Sequence, residues 1–257
     1  MTVLIDAHAH LHDARLGPAF DAASRSFTLA ARRLALEVDC GVLLLAEPPG
    51  TSRFEGLLDE DASPWTLERT VDPEAVRARR PGYPAVFILA GCQLVTREKL
   101  EVHALMTNDR FRDGEALDTT LNAVCATAAL GALPWGVGKW WGRRGRLIRA
   151  ALKGHPDVVP TDNGGRPWFW PLDRSIASAR SMGRVVLAGS DPLPLSDDWR
   201  RLGSCGVACE APIDVDLPVA AIRAALTSEP RPRPYGSARS FVGFFHDQTL
   251  MQLRGGS

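Results

Sequence analysis

The feature that most constrains the fold is a recurring order: a short apolar run, then a turn rich in glycine, proline or polar residues, then a segment of helical pattern. Strands that alternate with helices predict a parallel sheet covered by helices. The runs 42–45 and 185–188 are apolar throughout, which is typical of parallel strands buried on both faces. Roughly six to eight such units predict a single α/β domain, a distorted TIM-like (β/α)7-8 barrel.

Two segments depart from this order. The connection between the runs 86–90 and 100–106 is too short for a helical crossover, so a hairpin is expected there. A proline-rich stretch begins at residue 229. It predicts a barrel at 1–228, followed by a connector and a C-terminal tail at 229–257 that packs on the barrel.

Charge and composition narrow the classes of function. The formal net charge is zero, so no overall electrostatic attraction favours a nucleic-acid partner. No apolar run approaches the length of a membrane span, and the start of the chain lacks the pattern of a signal peptide. The five cysteines are scattered and odd in number, as expected of reduced thiols. These features predict a cytoplasmic protein that does not enter a membrane.

The stretch IDAHAHLHD carries the clearest chemical signal. It follows a short apolar strand, and residues two apart in a strand point to the same face. His8 and His10 therefore share a face at the strand end, where two imidazoles can bind one metal ion. Surface histidines without a common role are the alternative. His12 lies further beyond the strand and is a weaker ligand candidate.

Acidic residues follow several of the other apolar runs, and an apolar strand that ends on a carboxylate needs an ion partner, water or a cation. Asp191, in the segment LAGSDP, is the strongest candidate, as a metal ligand or general base; capping the next turn is its alternative. Glu47 is a candidate metal ligand or a solvated loop acid. Asp162 is a candidate catalytic base or a turn residue. His103 lies within an apolar run and is expected to be a core histidine rather than a ligand.

A glycine-rich segment with several cations follows Trp135. Lys139 and Arg143 lie in it, and Arg166 follows the next apolar run. Arginine suits bidentate contacts to anions, and glycine lets a backbone approach an anion closely. These three residues are therefore candidates for binding an anionic substrate. A basic loop in solvent is the alternative, and a surface for single-stranded nucleic acid has weaker support.

The ordered segments IDAHAH, LAGCQLVTREKLEVHAL, TDNGG and LAGSDP resemble the PHP family, named for polymerase and histidinol phosphatase domains. The resemblance covers roughly residues 1–195. It implies a distorted barrel and phosphoesterase chemistry with divalent ions, and it places His8, His10 and Asp191 among the ligands. Gln93, Trp135 and Leu193 stand where that family has further ligands, and Glu47 falls near another ligand position.

The amidohydrolase superfamily, with its TatD-type relatives, is a second resemblance, because it also opens with an Asp-x-His-x-His strand. The leading hypothesis is a metal-dependent hydrolase that uses a divalent cation (zinc, manganese or iron) and a small anionic substrate, such as a phosphate ester. A metal-activated water would be the nucleophile. A barrel that has lost catalysis and binds an anionic ligand or a protein partner is the non-enzymatic alternative.

Overall fold

The computed structural model describes residues 2–12, 14–50, 53–164, 166, 170–195, 197–227 and 231–236. Its strands are β1 (Thr2–Ala9), β2 (Cys40–Leu45), β3 (Thr66–Arg69), β4 (Ala75–Arg79), β5 (Ala85–Leu89), β6 (Gly91–Val95), β7 (Glu101–Leu105), β8 (Leu130–Pro134), β9 (Val159–Asn163), β10 (Leu187–Gly189), β11 (Gly206–Glu210) and β12 (Arg233–Tyr235). Its α-helices are α1 (Leu16–Leu34), α2 (Leu117–Cys125), α3 (Gly142–Gly154), α4 (Arg174–Ser181) and α5 (Pro218–Thr227), and single 3-10 helices span Phe54–Asp59 and Asp198–Arg201.

The strands form two mixed sheets. The seven-stranded sheet has the order β12-β11-β1-β2-β5-β4-β3, in which β1, β2 and β5 are parallel neighbours and the other pairs are antiparallel. The five-stranded sheet has the order β10-β9-β8-β7-β6, with β8, β9 and β10 parallel. Every residue of β1 and β2 is buried, which agrees with the central position of both strands and with the apolar sequence of β2.

The prediction of a TIM-like (β/α)7-8 barrel is wrong. The described strands lie in two mixed sheets, with no closed all-parallel barrel. Such a barrel needs a helix between successive parallel strands. Here, β3, β4 and β6 lie between β2 and β7 in sequence, pair antiparallel, and are reached without an intervening α-helix. The fold is a sheet-rich α/β arrangement.

The hairpin prediction is confirmed in part. The strands β6 and β7 pair antiparallel, with Gln93 opposite His103. The run 86–90 does not belong to this hairpin, because β5 pairs with β2 and β4 in the other sheet. Within the predicted connector, β12 pairs with β11. Residues 228–230 and the predicted tail at 237–257 lie outside the described residues.

Helix α1 covers one face of the seven-stranded sheet. Phe20 and Phe27 lie on its buried side and are fully buried, each contributing roughly 1.5–3 kcal/mol through burial. Gly41 of β2 lies beneath Phe27, and a Cβ at position 41 would come within 2.0 Å of the Phe27 ring. The helix ends at Ala35, whose left-handed backbone (φ 55°) lets its N–H bond to the last turn. In the described part of the chain, no helix has the length and apolar character needed to cross a membrane.

Candidate metal centre

Two histidines stand at the end of β1, as the alternation of a strand predicts. The ring centroids of His8 and His10 are 4.9 Å apart, and both side chains are buried. The register between β1 and β2 shifts between Asp6 and Ala9, within the histidine segment. Such irregularities bend a strand and redirect its side chains, often beside functional sites.

Asp191 completes the group from the other sheet. It follows β10, and its N–H donates to the carbonyl of His8 over 2.9 Å, so that the backbones hold the two segments together. Its backbone lies in the left-handed region (φ 47°), a conformation in which aspartate is enriched among non-glycine residues. Asp191 Oδ1 lies 3.4 Å from His8 Nε2 and 3.7 Å from His10 Nε2.

The spacing of these three side chains fits a metal ion. Among the described residues, they are the group of histidine, cysteine and acidic side chains that could hold one, with ligand atoms all within 4.8 Å of one another. In a tetrahedral site with bonds of about 2.0–2.2 Å, neighbouring ligand atoms lie about 3.4 Å apart. The observed separations are close to that value.

The histidine rings also contain polar atoms without partners. His8 Nδ1, His8 Nε2 and His10 Nδ1 are buried, and no hydrogen-bond partner accompanies them in the described part of the chain. Buried polar groups are almost always satisfied, so each exception needs an explanation. A cation bound to His8 and His10 would satisfy one nitrogen of each ring.

Charge states favour cation binding. Burial lowers the pKa of His10 to about 3, so its ring is neutral near pH 7, the form that binds metals. Burial alone would raise the pKa of Asp191. The neighbouring His8 and His10, with Arg201 and Lys139, outweigh that effect and hold this pKa below its usual value. The group therefore offers the neutral imidazole of His10, the imidazole of His8 and the carboxylate of Asp191.

Asp6 ties the two ligand-bearing segments together. Its fully buried Oδ1 accepts from the N–H groups of His8 (3.2 Å) and Ser190 (2.8 Å). Its Oδ2 accepts from the Ser190 hydroxyl (2.5 Å) and the Gly203 N–H (2.8 Å). Burial raises the pKa of Asp6 to about 6, although these hydrogen bonds act in the opposite direction. Asp6 therefore fixes β1 against the turn that carries Asp191.

No protein-family model and no curated protein matches this chain. A solved structure does share its fold. The chain is similar to PsfC from Pseudomonas syringae PB-5123, known from a crystal structure, with a TM-score of 0.55 and 15% sequence identity. The alignment covers 97% of this chain and 99% of PsfC, so the likeness extends over the whole arrangement of two sheets.

Asn163 and His103 adjoin the centre, although sequence analysis did not select the first and assigned the second to the core. The amide of Asn163 donates to Asp191 Oδ2 (2.8 Å) and to the carbonyl of Trp135 (2.8 Å), which orients the carboxylate. The ring of His103 packs edge-on against that of His8, with centroids 4.3 Å apart. Its Nε2 lies 2.9 Å from Gln93 Oε1, and burial lowers its pKa well below the usual value.

Glu47 and Asp162 lie outside the group of three. Glu47 is buried, and its Oε2 accepts from the Arg53 N–H over 2.7 Å. Burial raises its pKa. Asp162 forms a bidentate ion pair with Arg166, at 3.0 and 3.2 Å. Both carboxylates bind protein donors, and neither belongs to the His8–His10–Asp191 group. His12 instead bonds to the carbonyl of Pro192 (3.0 Å).

The three candidate cations are dispersed. Lys139 pairs with Glu101 and contributes to the low pKa of Asp191, so it lies within electrostatic range of the centre. Arg143 is exposed in the first turn of α3. Arg166 is occupied by Asp162. The structure therefore does not bring these three residues together as one anion site.

Proposed function

We propose that this protein is a metal-dependent hydrolase that acts on small phosphorylated or otherwise anionic substrates. The observation that carries the proposal is the His8–His10–Asp191 group, in which buried ring nitrogens lack partners and a carboxylate lies at ligand spacing. The resemblance of the segments IDAHAH and LAGSDP to PHP phosphoesterases agrees with it, on the same three residues. The fold alone does not, because one fold supports many functions.

The donor set favours particular metals. Two imidazoles and one carboxylate suit zinc, manganese or iron(II), with the remaining positions free for water and substrate. A divalent cation in such a site supplies Lewis acidity and lowers the pKa of water to about 7. Burial lowers the pKa of His10 and so keeps its ring in the neutral form that binds metals, and the Asn163 hydrogen bond holds the carboxylate of Asp191 in place.

Side chains at and around the centre accept the proton and attract the substrate. Asp191 is the proton acceptor for an attacking water, because its carboxylate is the acidic group beside the histidines. Lys139 supplies positive charge toward an anionic substrate. Asp162 is less suited to proton transfer, since its two oxygens bind Arg166.

Elemental analysis tests the metal site directly. We expect about one equivalent of a divalent metal in untagged protein purified without chelator, and its loss in a His8→Ala/His10→Ala double variant. A His155→Ala variant is the matched control, because His155 caps α3 and bonds to Asp118 away from the centre. Absence of bound metal after incubation with zinc, manganese and iron(II) would refute the site.

A substrate screen separates the possible activities. Phosphate esters and amides are assayed with metal-loaded protein, then after chelation, then after metal is restored. Phosphate-ester turnover that follows the metal supports the proposal. Turnover of amides alone would indicate an amidohydrolase instead. Bound metal without turnover of either class would refute the hydrolase and favour a ligand-binding protein.

A further inference from the structure

A cavity near the metal centre is lined by an unusual concentration of tryptophan. It has a volume of about 340 Å³, within the range of ligand pockets. The chain contains seven tryptophans, and four of them line this cavity, namely Trp135, Trp140, Trp141 and Trp170. We call it the tryptophan cavity. Such clustering in one concave site is typical of recognition of a flat, apolar group.

The four rings divide into a floor and an open side. Trp135 and Trp140 are each 2% exposed, and the indole N–H of Trp140 donates to the carbonyl of Pro134. Trp141 and Trp170 stack with centroids 5.1 Å apart and planes inclined by 13°. Trp141 is nevertheless 49% exposed. An exposed indole beside a concave apolar floor offers a surface on which a planar ring can stack.

The charged side chains around the cavity favour a bound molecule that carries a negative charge. Arg149 and Arg174 line it, and both are exposed. The acid that lines it, Asp173, caps α4 by accepting from the Ser175 N–H over 2.8 Å. The balance at the rim is therefore positive, which favours an anionic group.

Hydrogen bonds connect the floor of the cavity to the metal centre. The carbonyl of Trp135 accepts from the Asn163 amide, and the same amide donates to Asp191. One amide group therefore lies between a cavity wall and a candidate metal ligand. A molecule in the cavity would contact Trp135, whose carbonyl binds the amide that orients Asp191.

We propose that the tryptophan cavity binds a small planar aromatic anion, and that this is the aromatic portion of the substrate. The second clause rests on the proposed hydrolase function, whereas binding itself does not. Stacking supplies affinity for the ring, and Arg149 and Arg174 attract its anionic group.

Calorimetric titration of metal-free protein tests binding without turnover. The probes are 1-naphthyl phosphate, methyl phosphate and 1-naphthol. We expect 1-naphthyl phosphate to bind at least about tenfold more tightly than either of the others. Trp141→Ala and Trp170→Ala should each weaken it about tenfold, as expected for loss of one stacked ring. Trp141→Phe keeps a ring and should retain most of the affinity, while Trp199→Phe, outside the cavity, is the matched control.

The outcomes separate this inference from the proposed function. Equal affinity for methyl phosphate, or unchanged binding in both alanine variants, would overturn the cavity assignment even if the protein hydrolyses phosphate esters. Specific naphthyl phosphate binding would uphold it even if no metal-dependent turnover is found. Tighter binding of oligothymidylate than of 1-naphthyl phosphate would overturn it in favour of a single-stranded nucleic-acid surface.

Discussion

Replacing Asp6 tests whether one buried carboxylate holds the metal centre together. Four donors converge on it: the N–H groups of His8, Ser190 and Gly203, and the Ser190 hydroxyl. In Asp6→Ala all four remain buried without their acceptor. Each buried donor left unsatisfied costs about 1–3 kcal/mol, which is partly offset because a charged group no longer has to be buried. We expect a net loss of about 3–5 kcal/mol in the free energy of unfolding.

Two further variants separate the contributions of individual hydrogen bonds to this loss of stability. Asp6→Asn keeps one acceptor oxygen and the side-chain volume, so we expect a smaller loss of about 1–2 kcal/mol. Ser190→Ala removes a single hydroxyl donor and should cost about 1 kcal/mol. In both cases no candidate ligand atom is removed. Metal affinity should nevertheless fall with Asp6→Asn, because the carboxylate spans the strand of His8 and the turn of Asp191.

Urea unfolding at pH 7 measures these differences, and calorimetry with zinc measures metal affinity. A loss below about 1 kcal/mol for Asp6→Ala would show that the convergent hydrogen bonds contribute little net stability. Unchanged zinc affinity in Asp6→Asn would show that the two segments keep their places without the full carboxylate.

Three other substitutions have expected outcomes. A Cβ at position 189 would lie 2.3 Å from the His8 backbone nitrogen, so Gly189→Ala should lower the free energy of unfolding by about 1–3 kcal/mol and weaken zinc binding in calorimetry. Gly56→Ala is the control, because a Cβ there would meet no other atom within 4 Å. Burial acts to raise the pKa of Asp21, but hydrogen bonds from Trp65 and Arg80 outweigh it and lower this pKa. Asp21→Asn should therefore reduce the free energy of unfolding most above about pH 4, and the difference from the native chain should vanish as the pH falls. Urea unfolding at a series of pH values measures this difference. Arg166→Gln should cost about 2–3 kcal/mol by thermal unfolding, and Asp162→Asn in the same chain should restore most of that loss; additive losses would contradict a bidentate pair.

The histidine pair was predictable because its geometry is local. Alternation along one strand places His8 and His10 together without any knowledge of the fold. Asp191 was also accessible, because a parallel strand that ends in Gly-Ser-Asp carries an acid to the sheet edge. What sequence left open was whether these segments meet, which depends on pairing between distant parts of the chain.

Sequence patterns did not reveal the features that depend on pairing between distant segments of the chain. His103 was expected to be a core histidine because its neighbours are apolar, and it is fully buried, but the β6–β7 register also sets it opposite Gln93 and against His8. A polar residue inside an apolar run was the available signal. Residues 75–79 form β4, in which Val76 and Ala78 are buried and Arg79 is exposed. That period of two is the signature of a strand, and it was the first sign against a barrel.

The long separation in sequence between the two histidines and Asp191 has a consequence for how a metal could enter this group. His8 and His10 lie in and just after β1, whereas Asp191 follows β10 of the other sheet, far later in the chain. The nascent chain therefore presents two imidazoles long before the third ligand arrives. A complete site would therefore form only after the two sheets have closed upon each other, and a cation bound there would be a cross-link that opposes their separation.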